Sequence, residues 1–175
     1  MSIIETKRLT LRKLNINDAP FMLDLLNQPS FIQFIGDRGV RTLDAARNIL
    51  KKRYVAAYEQ LGFGIYLTLL KEDQTPIGIC GLVKRDGLDN VDIGYAFLPQ
   101  FWSKGYALES ASAVLAYARN TLGFRRILGI TTPNNTASIR VLEKAGLKFE
   151  RMVKLPGEEI ELKLFQGLYP GKTGQ

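Results

Sequence analysis

The chain has 175 residues, 46% of them hydrophobic and 23% charged, which is typical of one globular domain. Its formal net charge is +7, yet Lys and Arg are spread along the chain, so we expect a solvated basic surface and no stable nucleic-acid binding. No run approaches the ~18 apolar residues of a membrane span and no signal-peptide core is visible, so we expect a cytoplasmic location without membrane contact.

The first part of the chain predicts one strand and two helices. Residues 7–12 alternate polar and apolar side chains, as a half-buried strand does, and a short helix follows around residues 20–26. Thr42 is a typical N-cap for a second helix, which ends before Gly62. The segment between these helices, 27–41, has no helical pattern and is predicted to be a loop.

The rest of the chain predicts six strands and two helices. A polar hairpin connection, 71–76, joins the first two of these strands, and apolar side chains recur at helical spacing between Ala107 and Leu122. The predicted strands are 65–70, 77–83, 91–97, 126–131, 147–153 and 159–165, and the helices begin near Gly105 and Asn135.

This order predicts one α/β domain over residues 1–168, followed by a flexible tail at 169–175. The expected sheet has about seven strands, is mixed but mostly antiparallel, and carries helices on both faces. The chain has no histidine, which excludes Ser-His triads and removes the commonest metal ligand, so no metal is expected. The single cysteine, Cys80, lies in an apolar run and is predicted to be a core residue.

The junction between the strand at 91–97 and the next helix is the most informative segment. A helix N-terminus presents free backbone N–H groups and partial positive charge, which suits a phosphate. Gly105 permits close approach of a ligand, Ala107 is small, and Lys104 adds charge. The same pattern also describes an ordinary strand-to-helix connection.

Residues 98–109, Leu-Pro-Gln-Phe-Trp-Ser-Lys-Gly-Tyr-Ala-Leu-Glu, resemble the acetyl-CoA loop of the GNAT superfamily of N-acetyltransferases. That loop reads Gln/Arg-x-x-Gly-x-Gly/Ala and leads into a helix. Trp102 stands where Gln or Arg is usual, as in the branch that acetylates ribosomal-protein N-termini. Residues 5–12, 92–95 and 135–147 are similar to the same branch, so the resemblance spans about residues 2–166.

The resemblance implies how acetyl-CoA is held. In the family the fourth and fifth strands, here 91–97 and 126–131, splay apart and the pantetheine arm lies between them. Asn135 matches an asparagine that contacts the cofactor, although a helix cap requires the same residue. Strand aromatics could equally be core residues. The implied contacts are Tyr95, Ala96 and Phe97 to the arm, and the amides of Ser103, Lys104, Gly105, Tyr106, Ala107 and Leu108 to the pyrophosphate.

The resemblance also gives candidate catalytic residues. Asp92 occupies the family's acidic position and should share a strand face with Gly94 and Ala96, although a solvent-exposed turn aspartate is the alternative. Glu109 fits a family glutamate and is a second candidate base, unless it only stabilises the helix dipole. The usual general-acid tyrosine is replaced by Leu142.

Ser138 fits the serine of the family's Asn-x-x-Ser run and is the candidate acid, with solvent or a capping role as alternatives. The implied activity is transfer of acetyl from acetyl-CoA to a primary amine, for example the N-terminal amine of a ribosomal protein. The alternatives are a small-molecule N-acetyltransferase and a non-catalytic acyl-CoA-binding protein. We expect a monomer or homodimer, and no acceptor code is readable from the sequence.

Overall fold

A computed structural model of the protein describes residues 1–171, which form a single sheet of eight strands with helices on both faces. The spatial order is β1-β2-β3-β4-β5-β6-β8-β7, and every neighbouring pair is antiparallel except β5–β6. The strands are β1 (Ser2–Glu5), β2 (Leu9–Lys13), β3 (Ile65–Leu70), β4 (Pro76–Val83), β5 (Asp92–Phe97), β6 (Arg126–Thr131), β7 (Lys148–Val153) and β8 (Leu162–Leu168).

The mixed, mostly antiparallel sheet confirms the predicted fold class, with one strand more than the seven expected. The additional strand is β1, which folds back on β2 and pairs Glu5 with Thr10. Four residues are too few for a period-two pattern to separate them from the strand that follows. β1 thereby becomes the edge of the sheet, and the turn of residues 6–8 reaches the start of a later helix.

Six helices cover the two faces. Thr42 Oγ1 accepts from Ala45 N at 3.1 Å, as a cap does, and Gly62, with φ +78°, ends the second predicted helix. A π-helical stretch, Leu50–Val55, lies in the middle of that helix. The helices are α1 (Ala19–Leu26), α2 (Pro29–Phe34), α3 (Leu43–Ile49), α4 (Ala56–Leu61), α5 (Tyr106–Asn120) and α6 (Thr136–Lys144).

The prediction of a loop throughout 27–41 is wrong, because α2 lies within it. Pro29 occupies the first turn of this helix, where its missing N–H costs nothing, and Phe31 anchors it in the core. A helix of six residues spans less than two turns, so it shows no apolar periodicity in the sequence. The prediction had only coil between α1 and α3.

Two apolar clusters lie on opposite faces of the sheet. One packs α5 and α6 on the face that carries Tyr66 and Ile93. The other packs α1, α2, α3 and the π-helical stretch on the face that carries Leu67 and Ile79, which we call the α1–α4 side, whereas Tyr58 of α4 packs in the first cluster. Each cluster buries side chains that alternate along the central strands, which is what a sheet covered on both faces requires. The prediction of helices on both faces is confirmed.

The parallel pair β5–β6 is short. Only Asp92↔Leu128 and Ile93↔Gly129 are paired, and β5 and β6 diverge beyond them. Along residues 94–97, β5 is therefore bonded to β4 on one edge and has no strand partner on the other. The predicted splay of these strands is confirmed, and it opens the sheet at its centre.

Residues 172–175, most of the predicted tail, lie outside the described residues. Tyr169 is held by a hydrogen bond from its N–H to Arg125 O at 2.7 Å, and the Arg119 guanidinium lies 5.2 Å from its ring centre. Within residues 1–171, no helix has both the length and the apolar character that a bilayer crossing demands.

Candidate active site

A cleft of about 1040 Å³ opens where β5 and β6 diverge. One wall comes from the first turns of α5 and α6, and the other from α2, the π-helical stretch and the loop after β4. β5 runs along the cleft for six residues, roughly 17 Å, from Asp92 at one end to Phe97 at the other. The cleft therefore connects the start of α5 with the segments on the α1–α4 face.

The loop before α5 and the first turn of that helix line the cleft. Ser103 and Gly105 both have left-handed backbones, with φ +60° and +83°, as in the backbone nests that bind anions. Gly105 occupies the N-cap position, so no side chain caps the helix, and residues 105–108 line the cleft. The uncapped first-turn N–H groups suit a phosphate.

Two side chains of this loop, those of Trp102 and Lys104, differ in their contacts. Trp102 Nε1 donates to Phe97 O at 2.9 Å, which ties the loop to the end of β5. The Lys104 ammonium lies 5.9 Å from the Phe101 ring centre, and Lys104 is absent from the residues that line the cleft. Lys104 is thus the one residue of the predicted cofactor loop that the structure turns away from the cleft.

Arg8, a residue that the sequence did not single out, holds the loop from behind. Its Nη1 donates to Lys104 O at 2.9 Å and its Nε to Glu109 Oε2 at 2.6 Å, while its guanidinium lies 4.5 Å from the Tyr106 ring centre. Thr6 Oγ1 donates to the other Glu109 oxygen at 2.6 Å. The turn between β1 and β2 is thus bonded to the first turn of α5.

These contacts decide what Glu109 does. Burial raises the pKa of its carboxyl, but the hydrogen bonds from Thr6 and Arg8 outweigh burial and leave the pKa below its usual value. Glu109 does not line the cleft. A carboxylate bonded through both oxygens outside the cleft is suited to holding the loop in place.

Asp92 lies at the point where β5 and β6 part. Its side chain is only 1% exposed, yet it lines the cleft, and Arg85 Nε donates to its two oxygens at 3.0 and 3.1 Å. Burial raises the pKa of Asp92 to about 6, and the charge of Arg85 offsets part of that rise. A carboxylate with this pKa is mostly ionised at pH 7 and still accepts a proton readily.

The strand faces are as predicted. Ala96 packs in the cluster on the α1–α4 side, whereas Ile93, Tyr95 and Phe97 pack in the cluster beneath α5 and α6. Asp92, two pleats before Ala96, shares its face. The carboxyl is thus directed to the α1–α4 side of the sheet, which identifies the side from which a second substrate can reach it.

Tyr95 and Ser138 meet on the opposite side of the cleft. Their hydroxyl oxygens are 2.9 Å apart, and Tyr95 also donates to Ser138 O at 3.2 Å. Burial raises the pKa of Tyr95, so its phenol stays protonated at neutral pH. Leu142 is buried against Gly129, so the position of the family's usual tyrosine is part of the core.

Asn135 lines the cleft and also caps α6. Its Oδ1 accepts from Ser138 N at 3.2 Å, which is the capping bond that its position requires. The cap does not use the side-chain nitrogen. Cys80 is fully buried and burial raises the pKa of its thiol to about 12, so it is a core residue. Within residues 1–171, no three acidic, Cys or His side chains gather as metal ligands.

Residues 8–148 match the acetyltransferase (GNAT) domain family, which is most of the chain. This chain is a member of the GNAT acetyltransferase family. It is 28% identical over 151 residues to the uncharacterized N-acetyltransferase YnaD of Bacillus subtilis, covering 86% of this chain and 85% of that protein. The family makes the chain an acyltransferase enzyme and explains the splayed strands.

Solved GNAT structures share the fold. A GNAT family acetyltransferase from Bacillus anthracis matches with a TM-score of 0.78 at 26% identity, covering 94% of this chain and 97% of the other. RimL, a ribosomal L7/L12 alpha-N-protein acetyltransferase solved in complex with coenzyme A, matches with a TM-score of 0.78 at 18% identity, covering 97% and 98%. GNAT acetyltransferases use acetyl-CoA, and such a ligand fits the uncapped first turn of α5 and the edge of β5 that has no strand partner at residues 94–97.

Among the charged residues that line the cleft, Arg85 and Arg38 were not named from the sequence. Arg85 could have been found from the β4–β5 hairpin, because Val83 pairs with Asp92 and so brings residue 85 beside it. Arg38, in the loop between α2 and α3, lines the cleft without any signal in the local sequence. Both lie on the α1–α4 side, where the sequence offered no acceptor code.

Proposed function

We propose that this enzyme transfers the acetyl group of acetyl-CoA to a primary amine bound on the α1–α4 side of the cleft. The observation that carries the proposal is the divergence of β5 and β6, which leads from the uncapped amides of α5 to the buried carboxylate of Asp92. When bound, acetyl-CoA supplies an activated acyl group.

The chain's own residues are assigned as follows. The amides of residues 103–108 bind the pyrophosphate, and the backbone edge of residues 95–97, with the side-chain nitrogen of Asn135, positions the arm. Gly105 allows the close approach that these contacts need. The two ends of the ligand are thus held mainly by backbone groups, which agrees with Trp102 replacing the usual polar residue.

Asp92 takes a proton from the attacking amine and later releases it to solvent, and the hydroxyl pair Tyr95–Ser138 donates a proton to the leaving sulfur and regains one from solvent. Asp92 suits a base because it is ionised at pH 7 with a pKa raised by burial, and Arg85 fixes its orientation. The hydroxyl pair suits a proton donor because both groups stay protonated at neutral pH. Glu109 is assigned a structural role, in which it holds the loop before α5 in place.

Two acceptor classes are in question: the N-terminal amine of a protein and the amine of a small molecule. The likeness to RimL, a protein that acts on ribosomal L7/L12, supports testing N-terminal peptides first. The test is release of the coenzyme A thiol from acetyl-CoA with a panel of peptides, amino acids, polyamines and aminoglycosides. Binding of acetyl-CoA without release by any amine would favour the non-catalytic acyl-CoA-binding alternative.

A further inference from the structure

Three arginines line the α1–α4 side of the cleft, which we call the acceptor end. Arg38 comes from the loop between α2 and α3, Arg53 from the π-helical stretch, and Arg85 from the loop after β4. Arg85 contacts Asp92 at the start of β5, whereas the Gly105 loop follows the end of the same strand. Arg85 is therefore separated from the loop by about the length of β5, and Arg38 and Arg53 are near enough to each other and to Arg85 for their charges to act on Arg38.

Two of these cations are not neutralised by the protein. Arg85 is paired with Asp92, but within residues 1–171 neither Arg38 nor Arg53 forms an ion pair. The Nε of Arg38 is buried and has no hydrogen-bond partner among the described residues. A buried donor without a partner is costly, so the site is incomplete without an acceptor group.

The surroundings of Arg38 are net positive. Burial lowers the pKa of Arg38 most, the charges of Arg53 and Arg85 lower it further, and Tyr54 and, least of all, Glu158 raise it. The acidic residues at the rim of the cleft, Asp86 and Glu158, are both exposed, where solvent weakens their effect. A polycation entering this end would meet like charge, whereas an anion would relieve it.

Apolar side chains lie beside the cations. Phe31 and Phe34 of α2 and Tyr54 of the π-helical stretch line the same end of the cleft. Guanidinium groups bind carboxylate and phosphate through paired N–H donors, and the neighbouring rings favour an apolar moiety. The acceptor end therefore combines an anion site with an apolar wall.

Building on the proposed function, we propose that the acceptor is an amine that also carries an anionic group, a carboxylate or a phosphate, bound by Arg38 and Arg53. The apolar part of this acceptor lies against Phe31, Phe34 and Tyr54, and its amine reaches Asp92. This excludes spermidine-like polyamines and aminoglycosides as preferred acceptors, and it applies to free amino acids and acidic peptide N-termini alike.

The test compares related acceptors with and without an anionic group. The pairs are phenylalanine and phenylalaninamide, phosphoethanolamine and ethanolamine, and the dipeptide amides Ala-Glu-NH2 and Ala-Gln-NH2, with spermidine as a polycation. Thiol release from acetyl-CoA gives kcat/KM for each. We expect kcat/KM for the member with the anionic group to exceed that for the member without it by about 10- to 100-fold, and the pair that shows this difference identifies the source of the anion.

Variants locate the effect. In Arg38→Gln and Arg53→Gln, the ratio of kcat/KM between the member with the anionic group and the member without it should fall toward one, because KM for the anionic acceptor rises. For the member without the anionic group, kcat/KM should change less than about threefold. Arg53 is exposed, so its substitution does not threaten folding. Lys52→Gln, which removes an exposed charge beside Arg53 outside the cleft, is the matched control and should keep the preference.

The outcomes separate this proposal from the proposed function. Turnover of neutral or cationic amines at equal or higher kcat/KM overturns the anionic acceptor and leaves the acetyltransferase assignment intact. If no amine supports release, binding of the same pairs to the coenzyme A-loaded protein is measured by calorimetry. Tighter binding of the anionic members, lost in Arg38→Gln, supports the site, and equal binding of both members rejects it.

Discussion

Arg85 Nε lies 3.0 Å from one oxygen of Asp92 and 3.1 Å from the other, so one cation orients the carboxylate that faces the opening between β5 and β6. The pair sets both the direction and the protonation of that carboxylate. Its consequences are measurable because burial and the guanidinium act on the pKa of Asp92 in opposite senses.

Replacement of Asp92 by asparagine tests the base. The amide keeps the shape of the side chain but accepts no proton, so we expect kcat/KM to fall about 100-fold or more, with little change in acetyl-CoA affinity. Asp73→Asn, in the exposed β3–β4 turn, is the control for loss of one negative charge and should retain activity. Wild-type turnover in a folded Asp92→Asn protein would remove Asp92 from the mechanism.

The pH dependence follows from the same pair. A base acts when deprotonated, so kcat/KM should be level above pH 6 and fall about tenfold per unit below it, because the pKa of Asp92 is about 6. In Arg85→Gln the offsetting charge is lost, the pKa of Asp92 rises further, and the acidic limb moves to higher pH. A limb that stays in place or moves to lower pH in this variant contradicts the assignment.

Gly105 is tested against a glycine of the same backbone conformation. Gly105→Ala places a Cβ on a left-handed residue, at a cost of about 1–2 kcal/mol, and 3.2 Å from Arg8 Nη2, which disturbs the amides that bind phosphate. Acetyl-CoA affinity, measured by calorimetry, should fall at least about tenfold. Gly123→Ala, with φ +78° and open space around it, carries the same strain and should bind normally.

Removing either hydroxyl of the Tyr95–Ser138 pair should lower activity less than removing the Asp92 carboxylate. Tyr95→Phe and Ser138→Ala each remove one of the two oxygens that lie 2.9 Å apart, and each should lower kcat about tenfold without weakening acetyl-CoA binding. The double variant should lose little more than either single variant, because the pair acts as one unit. Additive losses, or losses confined to coenzyme affinity, would assign these hydroxyls to packing alone.

Substitution of Glu109 should lower the stability of the fold without shifting the acidic limb of the pH profile of kcat/KM. Glu109→Gln weakens the hydrogen bonds from Thr6 and Arg8, and we expect a loss of about 1–3 kcal/mol in the free energy of unfolding, measured by denaturant titration. The pH profile of kcat/KM should keep its acidic limb near pH 6. A shift of that limb in Glu109→Gln would make Glu109, and not Asp92, the titrating base.

The sequence predicted the elements that are long or strongly patterned. α5 and the central strands follow directly from their periodicity, and the splay of β5 and β6 followed from the resemblance of residues 98–109 and 92–95 to the family. β1 and α2 were missed because four and six residues carry too little pattern. Their positions are set by tertiary contacts.

The residues of the site fall into the same two groups, those that a sequence motif indicates and those that only tertiary contacts bring to the cleft. Asp92, Gly105 and Ser138 were named from motifs, and the structure brings them to one cleft. Arg38 could not be named, because the burial of its Nε depends on neighbours from distant parts of the chain. A ligand bound by the backbone of one loop requires glycines at fixed spacing, and that spacing is visible in the sequence. The side chains proposed to bind the acceptor come from separate elements, so no local sequence motif indicates them.

The attachment of Arg8 to Lys104 O and Glu109 has a practical consequence for work with this enzyme. The turn that carries Arg8 follows β1 directly, so a fusion or truncation that disturbs the pairing of β1 with β2 should also loosen the support of the coenzyme loop. At the other end of the described residues, Tyr169 lies beside Arg119 near the far end of α5, roughly 20 Å from Gly105. Changes at Tyr169 should therefore disturb the coenzyme loop less than changes in β1.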